Sequence, residues 1–214
     1  MADNARPSRY TMRGIAMRMY ATLWVLLSGL TACAAAGPNA TESATASNDR
    51  QRASVEHVLP ADRRLQHVHR GDLDGDGRED ALVVTAPSNG DEDVPRGVVI
   101  ALQSDDGWRV AAANDHAIPC PRCGGAMGDP LAGVDIVPGG FVLRFEGGSR
   151  ELWSVAYRFR YERARTQWVL DAVERRVLDR ATGEAKTAHA DADETGLPGF
   201  AVFDPGDETL APID

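Results

Sequence analysis

The sequence predicts an all-β protein, or one that is nearly so, built as a single antiparallel domain of the meander or sandwich-like kind. Apolar and polar residues alternate with a period of two over most of the chain after residue 54, which is the pattern of strands with one buried face. Short clusters of Gly, Pro, Asp and Ser separate these stretches, as turns do. No segment has the apolar spacing of a convincing amphipathic helix.

The first half of the domain is predicted to contain two hairpins. In the first, residues 65–70 and 81–85 form strands on either side of an acidic stretch, GDLDGDGRED. In the second, residues 98–103 and 108–112 flank the turn Ser104-Asp105-Asp106-Gly107. A polar loop rich in turn residues joins the two hairpins.

The second half is predicted to contain four strands and one further short apolar segment. Residues 134–137 and 141–145 flank a Pro-Gly-Gly turn, and LWSVAYRFRY (152–161) is followed by a returning strand at 168–173. In LWSVAYRFRY every second residue is large and apolar, which predicts a half-buried strand. The late apolar piece 200–203 is expected to close the sheet. The polar stretch 179–196 is expected to be loop-like or partly disordered.

Residues 114–130 are predicted to form a long loop that carries Cys120 and Cys123 in the sequence CPRC. A disulfide between the two cysteines is favoured, because residues 1–32 have the basic start and short apolar run of an export signal and exported proteins lie in an oxidising compartment. A redox pair would need a helix after the first cysteine, and Gly124-Gly125 follows here instead. A zinc site would need two further ligands. Both of these alternatives, and free thiols, stay open.

The N-terminus has the pattern of an export signal over residues 1–32. Arg13 and Arg18 precede the apolar run YATLWVLLSGL, whose eleven residues are too few to span a bilayer, which takes roughly 20. The next residues, LTAC, resemble the lipobox of bacterial lipoproteins. That resemblance implies that Cys33 is acylated and becomes the mature N-terminus, with the start codon at Met1, Met12 or Met17.

Residues 33–54 contain almost no large apolar side chain and are predicted to be a flexible tether between a lipid anchor and the domain. The β domain is predicted over residues 55–204, with a C-terminal tail at 205–214. Ala34 follows the acylated cysteine, where the lipobox resemblance associates Asp with retention in the inner membrane. The expected location is therefore the outer membrane, facing the periplasm.

The acidic stretch predicts a calcium loop over residues 72–80. Asp72, Asp74, Asp76 and Asp80 occupy positions 1, 3, 5 and 9 of the pattern D-x-D-x-D-G-x-x-D. Calcium takes six to eight hard oxygen ligands, and alternate carboxylates in a tight loop can converge on one ion. Arg78, at position 7, would contribute its backbone carbonyl. An EF-hand is unfavourable because position 12 is a valine inside a predicted strand, where that motif needs a bidentate glutamate.

The segment GDLDGDGREDALVV resembles the calcium loop of VCBS/FG-GAP repeats, the blade motif of integrin α-type propellers. The resemblance covers about 45 residues, and it implies a calcium-bound hairpin whose loop joins two strands. Propellers carry several such loops, whereas this chain has one. A full propeller is therefore not expected.

The charge balance of the chain disfavours one class of function. The chain has 23 basic and 32 acidic residues and a net charge of −9, which disfavours binding to nucleic acid. It has no nucleophile elbow, zincin motif or P-loop, so no catalytic residue is predicted. The expected function is a non-catalytic, lipid-anchored envelope protein that holds a structural calcium ion and binds an unknown envelope protein or ligand. The alternative is an exported hydrolase whose catalytic residues come from distant loops.

Overall fold

The computed structural model describes residues 55–191 and 198–212. Within these residues, the secondary structure consists of nine β-strands and two short 3-10 helices. The strands of the first half are β1 (Arg63–Gly71), β2 (Asp80–Pro87), β3 (Arg96–Ser104) and β4 (Gly107–Ile118). The strands of the second half are β5 (Leu131–Val137), β6 (Gly140–Gly148), β7 (Glu151–Glu162), β8 (Gln167–Asp179) and β9 (Ala185–Asp191).

The strands form two antiparallel meanders. The first sheet has the order β1-β2-β3-β4, and the second has the order β5-β6-β7-β8-β9. Within each sheet every strand therefore pairs with its neighbours in sequence, because short turns join antiparallel strands directly. The predicted all-β, antiparallel, single-domain fold is confirmed. Over the described ranges the sheets form neither a closed barrel nor a propeller.

One apolar core joins the two sheets. Buried side chains of the first sheet, among them Leu82 and Ile100, belong to the same cluster as Phe141, Tyr157 and Phe159 of the second. The alternation predicted for β7 is observed, since Tyr157 and Phe159 are at most 1% exposed, whereas Arg158 and Arg160, which alternate with them, are exposed. The arrangement is a two-layer sandwich with an aromatic core.

The other face of the first sheet is covered by the start of the domain. Val55 is fully buried against Val83 and Val99, and Val58 and Leu59 pack on the same cluster. Both faces of β2 and β3 are therefore buried, which explains why these strands are almost continuously apolar. The predicted tether at 33–54 lies outside the described residues.

The prediction that residues 179–196 are loop-like is wrong for part of that stretch. Ala185–Asp191 forms β9, which pairs along β8 from Leu178 to Ala172. Its sequence, AKTAHAD, has no large apolar side chain, because β9 is an edge strand whose only buried residue is Ala190. Its place in the sheet comes from backbone pairing with β8, which leaves little trace in the pattern of side chains.

The prediction that residues 200–203 form a closing strand is also wrong. Phe200–Val202 is a 3-10 helix. Nδ2 of Asn114, on β4, donates hydrogen bonds to the carbonyls of Phe200 and Phe203, both at 2.7 Å. The two phenylalanine rings meet Phe159 edge to face, with centroids 5.4 and 5.0 Å away. The segment thus packs its phenylalanine rings against the core and does not extend a sheet.

The C-terminal segment packs on the same core. The hydroxyl of Tyr157 donates a hydrogen bond to the carbonyl of Pro205 at 3.0 Å. Leu210 and Ala211, which lie in the stretch predicted as a tail, are 7% and 1% exposed and belong to the shared core. The core therefore extends to Ala211.

Residues 119–130 join the two sheets. This loop is shorter than the predicted loop 114–130, because β4 continues to Ile118. Arg96, which is 3% exposed, holds this loop against β3. Its guanidinium donates to both carboxylate oxygens of Asp129, at 2.9 and 2.6 Å, and to the carbonyl of Pro119. Such a bidentate pair fixes both distance and orientation.

Cys120 and Cys123 lie within this loop at disulfide-bonding distance, with their Cα atoms 5.1 Å apart. Mass spectrometry of the non-reduced protein is expected to show the two residues linked in one peptide, because the backbone places them within the range that a disulfide spans. Alkylation of two free thiols in the native, non-reduced protein would contradict the expectation. Reduction before alkylation is the control that must yield both modified cysteines.

Candidate metal centre

The acidic loop lies between β1 and β2 and is folded around its own carboxylates. β1 ends at Gly71, which pairs with Asp80 at the start of β2. The carboxylate of Asp72 accepts hydrogen bonds from the N–H groups of Gly75, Asp76 and Gly77, at 2.6–3.1 Å. Gly75 and Gly77 have φ of +75° and +87°, a region that L-residues with side chains rarely adopt. The turn therefore depends on these two glycines.

Three of the four predicted aspartates come together. One carboxylate oxygen from each of Asp72, Asp74 and Asp80 lies within 4.8 Å of the others. Asp76 is not in this group. Its carboxylate accepts a hydrogen bond from the N–H of Arg78 at 2.8 Å and faces the Arg78 Nε at 3.8 Å. The exposed guanidinium of Arg78 also pairs with Asp105, at 3.1 Å.

Asp80 is the buried member of the group, at 1% exposure. Its two carboxylate oxygens accept hydrogen bonds from the N–H groups of Leu73 and Gln103, at 2.9 and 3.0 Å. Burial raises the pKa of this carboxyl above its ordinary value, although the two hydrogen bonds act in the opposite direction. Burial also raises the pKa of Asp74, and the charges of Asp76 and Asp72 add to that increase. The loop therefore concentrates negative charge where water is partly excluded.

The group fits a hard cation. Two oxygens that bind the same calcium ion at about 2.3–2.6 Å can be at most roughly 4.6–5.2 Å apart, and the observed limit of 4.8 Å lies within that range. An ionised carboxylate has about four acceptor positions, so the N–H bonds to Asp72 and Asp80 do not exhaust their oxygens. Three carboxylates leave the coordination of calcium to be completed by backbone carbonyls or water.

The loop is fastened to the second sheet as well as to the first. Leu73, between the first two aspartates, is fully buried in the shared core. Its carbonyl accepts a hydrogen bond from Nε1 of the buried Trp168, on β8, at 2.8 Å. The carbonyl of Asp72 accepts from the N–H of Gly139, in the turn between β5 and β6, at 3.0 Å. The carbonyl of Gly75 accepts from the Arg163 guanidinium, in the turn between β7 and β8, at 2.5 Å.

These inter-sheet contacts were not predicted from the sequence. Trp168 and Arg163 lie about ninety residues away from the loop, and their hydrogen bonds go to backbone carbonyls, which no motif records. One signal was available: Leu73 is the only large apolar residue in the stretch GDLDGDGRED. A leucine among five acidic residues indicates that this part of the loop turns toward a core.

The remaining predicted site residue, Cys33, lies outside the described residues. Within residues 55–191 and 198–212, no helix has the length and apolar character needed to cross a membrane.

Comparisons of the chain with protein-family models, curated proteins and solved structures found no match. The functional argument therefore depends on the geometry of this chain alone.

Proposed function

We propose that this chain is a lipid-anchored protein of the bacterial cell envelope whose β domain holds a structural calcium ion and binds a partner or ligand without catalysis. The observation that carries the proposal is the convergence of Asp72, Asp74 and Asp80 in a loop that is bonded to both sheets. A cation there would screen the repulsion among the three carboxylates and hold the loop in the shape that makes these bonds.

Calcium is preferred to other ions by the chemistry of the donors. All three side chains are carboxylates, and hard oxygen ligands suit calcium or magnesium, whereas zinc and copper favour nitrogen or sulfur. Magnesium needs nearly ideal octahedral geometry and gives up water reluctantly. An irregular loop with carboxylates at uneven spacing therefore suits calcium better.

The role proposed for the ion is stabilisation of the junction between the sheets. An ion that binds only the folded state stabilises it by RT ln(1 + [L]/Kd). With the Kd of about 10⁻⁴–10⁻³ M that is typical of extracellular modules, about 5 mM calcium would contribute roughly 1–2 kcal/mol. That is a substantial part of the stability of an ordinary domain.

The anchor is the second part of the proposal, and the LTAC sequence supports it. Cys33→Ser removes the sulfur that would carry the acyl groups, so we expect the variant to leave the membrane pellet and to appear as a soluble exported protein or an unprocessed precursor. Fractionation of cells followed by immunoblotting measures this directly. The control is Cys120→Ser, which leaves the acylation site intact and should stay with the membranes.

Full retention of the Cys33→Ser protein in the membrane fraction, after washing with high salt, would contradict the anchor. Separation of inner from outer membranes on a density gradient then tests the proposed location. The wild-type protein is expected in the outer-membrane fraction. The same gradient shows whether Ala34→Asp moves it to the inner membrane, as the lipobox resemblance implies.

Binding is proposed in place of catalysis because of the character of an apolar pocket in the second sheet. Among the residues that the structure describes, its lining includes one ionisable side chain, Arg175, and neither histidine nor a carboxylate. General acid–base catalysis needs groups that can exchange a proton near neutral pH. Arginine does not do so, and the lining therefore supports a binding role.

A further inference from the structure

The apolar pocket lies at the end of the second sheet that is farthest from the acidic loop. Its volume is about 290 Å³, and its walls include Phe145, Trp153, Val155 and Val177. Trp153 is near the start of β7, whereas the acidic loop contacts the turn that follows the end of that strand. Nine residues of strand at about 3.4 Å each separate the two ends by roughly 30 Å. The pocket is therefore a separate site.

The pocket lies where the two longest strands of the second sheet are not covered by the middle strands of the first. β7 and β8 have 12 and 13 residues, whereas β2 and β3 have 8 and 9. None of the residues that line the pocket belongs to β1–β4, so the core-facing side of the second sheet continues beyond the cover of the first. Pro119 and Pro205, which lie outside the strands, also line the pocket. The carbonyl of Pro205 accepts a hydrogen bond from the Tyr157 hydroxyl at 3.0 Å, which holds this part of the lining in place.

Arg175 is the one charged group among the described residues that line this apolar surface. It lies on β8 directly opposite Val155 of β7, and it is half-buried. Its guanidinium lies near the hydroxyl of Tyr157, where burial raises the pKa of that hydroxyl and the arginine lowers it. Among the side chains that the structure describes, it makes no ion pair with a carboxylate. Among the described side chains, the pocket therefore presents a guanidinium that no carboxylate contacts as an ion pair, although the charges of Asp204 and Asp207 are felt at the neighbouring Tyr157 hydroxyl. The net charge of the protein is −9.

We propose that this pocket binds a small apolar carboxylate, with its carboxylate on the Arg175 guanidinium and its alkyl chain or ring against Trp153, Val155 and Val177. A guanidinium offers two parallel N–H donors that match a carboxylate, and the bond is strengthened where water is excluded. Contact with the apolar walls removes the alkyl chain or ring of the ligand from water, which contributes favourably to the free energy of binding. A cationic ligand finds no acidic partner among the lining residues, and an uncharged ligand leaves the arginine without an anion.

The volume sets the size of the ligand. At about 30 Å³ for each water-sized group in a liquid, 290 Å³ holds roughly ten such groups. Octanoate, which has eight carbons and two oxygens, has that size. The proposal goes beyond the calcium site and does not depend on it, because the two sites share no residue.

The test is isothermal titration calorimetry of the full chain with sodium octanoate, 1-octanol and octylammonium chloride. We expect octanoate to bind, octanol to bind at least tenfold more weakly, and octylammonium not to bind. Arg175→Gln should weaken octanoate binding by about tenfold or more, which is the usual effect of losing a hydrogen bond to a charged group. Val177→Phe, which fills the pocket, should also weaken it. Far-ultraviolet circular dichroism checks that each variant is folded.

Arg176→Gln is the matched control, because Arg176 is the next residue of the same strand and points to the exposed face. It should bind octanoate within about twofold of wild type. Titrations in EDTA and in calcium should agree, so a failure of the calcium proposal leaves this result unaffected. The proposal is overturned if wild type does not bind octanoate at millimolar concentration, if octanol binds as tightly as octanoate, or if Arg175→Gln binds it as tightly as wild type.

Discussion

Leu73→Ala is expected to lower the free energy of unfolding by about 2–5 kcal/mol, the range for removing a buried leucine from a core. Leu73 is fully buried, and it is the only apolar side chain that ties the acidic loop to the shared core. Its loss leaves a cavity in the shared core, to which Trp168 also belongs. Urea unfolding followed by tryptophan fluorescence measures the change.

Val202→Ala is the control for this substitution, because it also removes an aliphatic side chain but from a residue that is 75% exposed. Its free energy of unfolding should stay within about 0.5 kcal/mol of wild type. A Leu73→Ala protein as stable as Val202→Ala would mean that the loop is not fastened to the core. The description of the loop as part of the junction between the sheets would then be wrong.

Arg96→Ala is expected to cost about 3 kcal/mol. Removing one partner of a buried ion pair typically costs about 3–5 kcal/mol, and the lower end applies because the Asp129 side chain is 49% exposed and can be hydrated. The variant also loses the hydrogen bonds to the Pro119 carbonyl. The same urea measurement detects the loss, and limited proteolysis should cut the released loop 119–130.

Two further variants show whether the loss of stability in Arg96→Ala comes from the buried, bidentate pair with Asp129 or only from the loss of a positive charge. Arg122 belongs to the same loop and pairs with Glu92 and Asp93, but it is 65% exposed, so Arg122→Ala should cost less than about 1 kcal/mol. Arg96→Lys keeps the charge and loses the bidentate geometry, so its stability should fall between wild type and Arg96→Ala. Equal stabilities of Arg96→Ala and Arg122→Ala would contradict the assigned role of Arg96.

Local patterns were sufficient to predict most of the strands. In β7, alternation over LWSVAYRFRY predicted which side chains are buried, because successive side chains of a strand point to opposite faces. The turn residues between strands predicted hairpins, and consecutive hairpins produce the two meanders. The division into two stacked sheets could not be predicted to the residue, since it depends on contacts between the halves of the chain.

The two wrong predictions of secondary structure have a common cause. β9 is placed by backbone pairing with β8, and its small and polar side chains carry almost no signal. Phe200–Val202 has an apolar sequence typical of a strand, yet two hydrogen bonds from Asn114 and the packing of its rings hold it as a 3-10 helix. In both cases tertiary contacts override local propensity.

The candidate site was predictable in composition and less so in geometry. The spacing of aspartates identified the loop, and three of them do converge. Asp76 is not in the group, and its carboxylate accepts a hydrogen bond from the N–H of Arg78, two residues further on. Which carboxylates of the loop converge cannot be predicted from their spacing alone.

The measurement that tests the central proposal most directly is thermal unfolding of the full chain in EDTA and in about 5 mM calcium, roughly five times or more above the expected Kd. The test variant is Asp74→Asn, which removes one charge of the group; the Asp74 carboxylate accepts only one backbone hydrogen bond, from Asp76. The control variant is Asp106→Asn, in the exposed turn between β3 and β4. We expect calcium to raise the melting temperature of wild type and of Asp106→Asn by several degrees. Magnesium should raise it less, and Asp74→Asn should respond to neither ion. A wild-type melting temperature that is the same in EDTA and in calcium would contradict the calcium site.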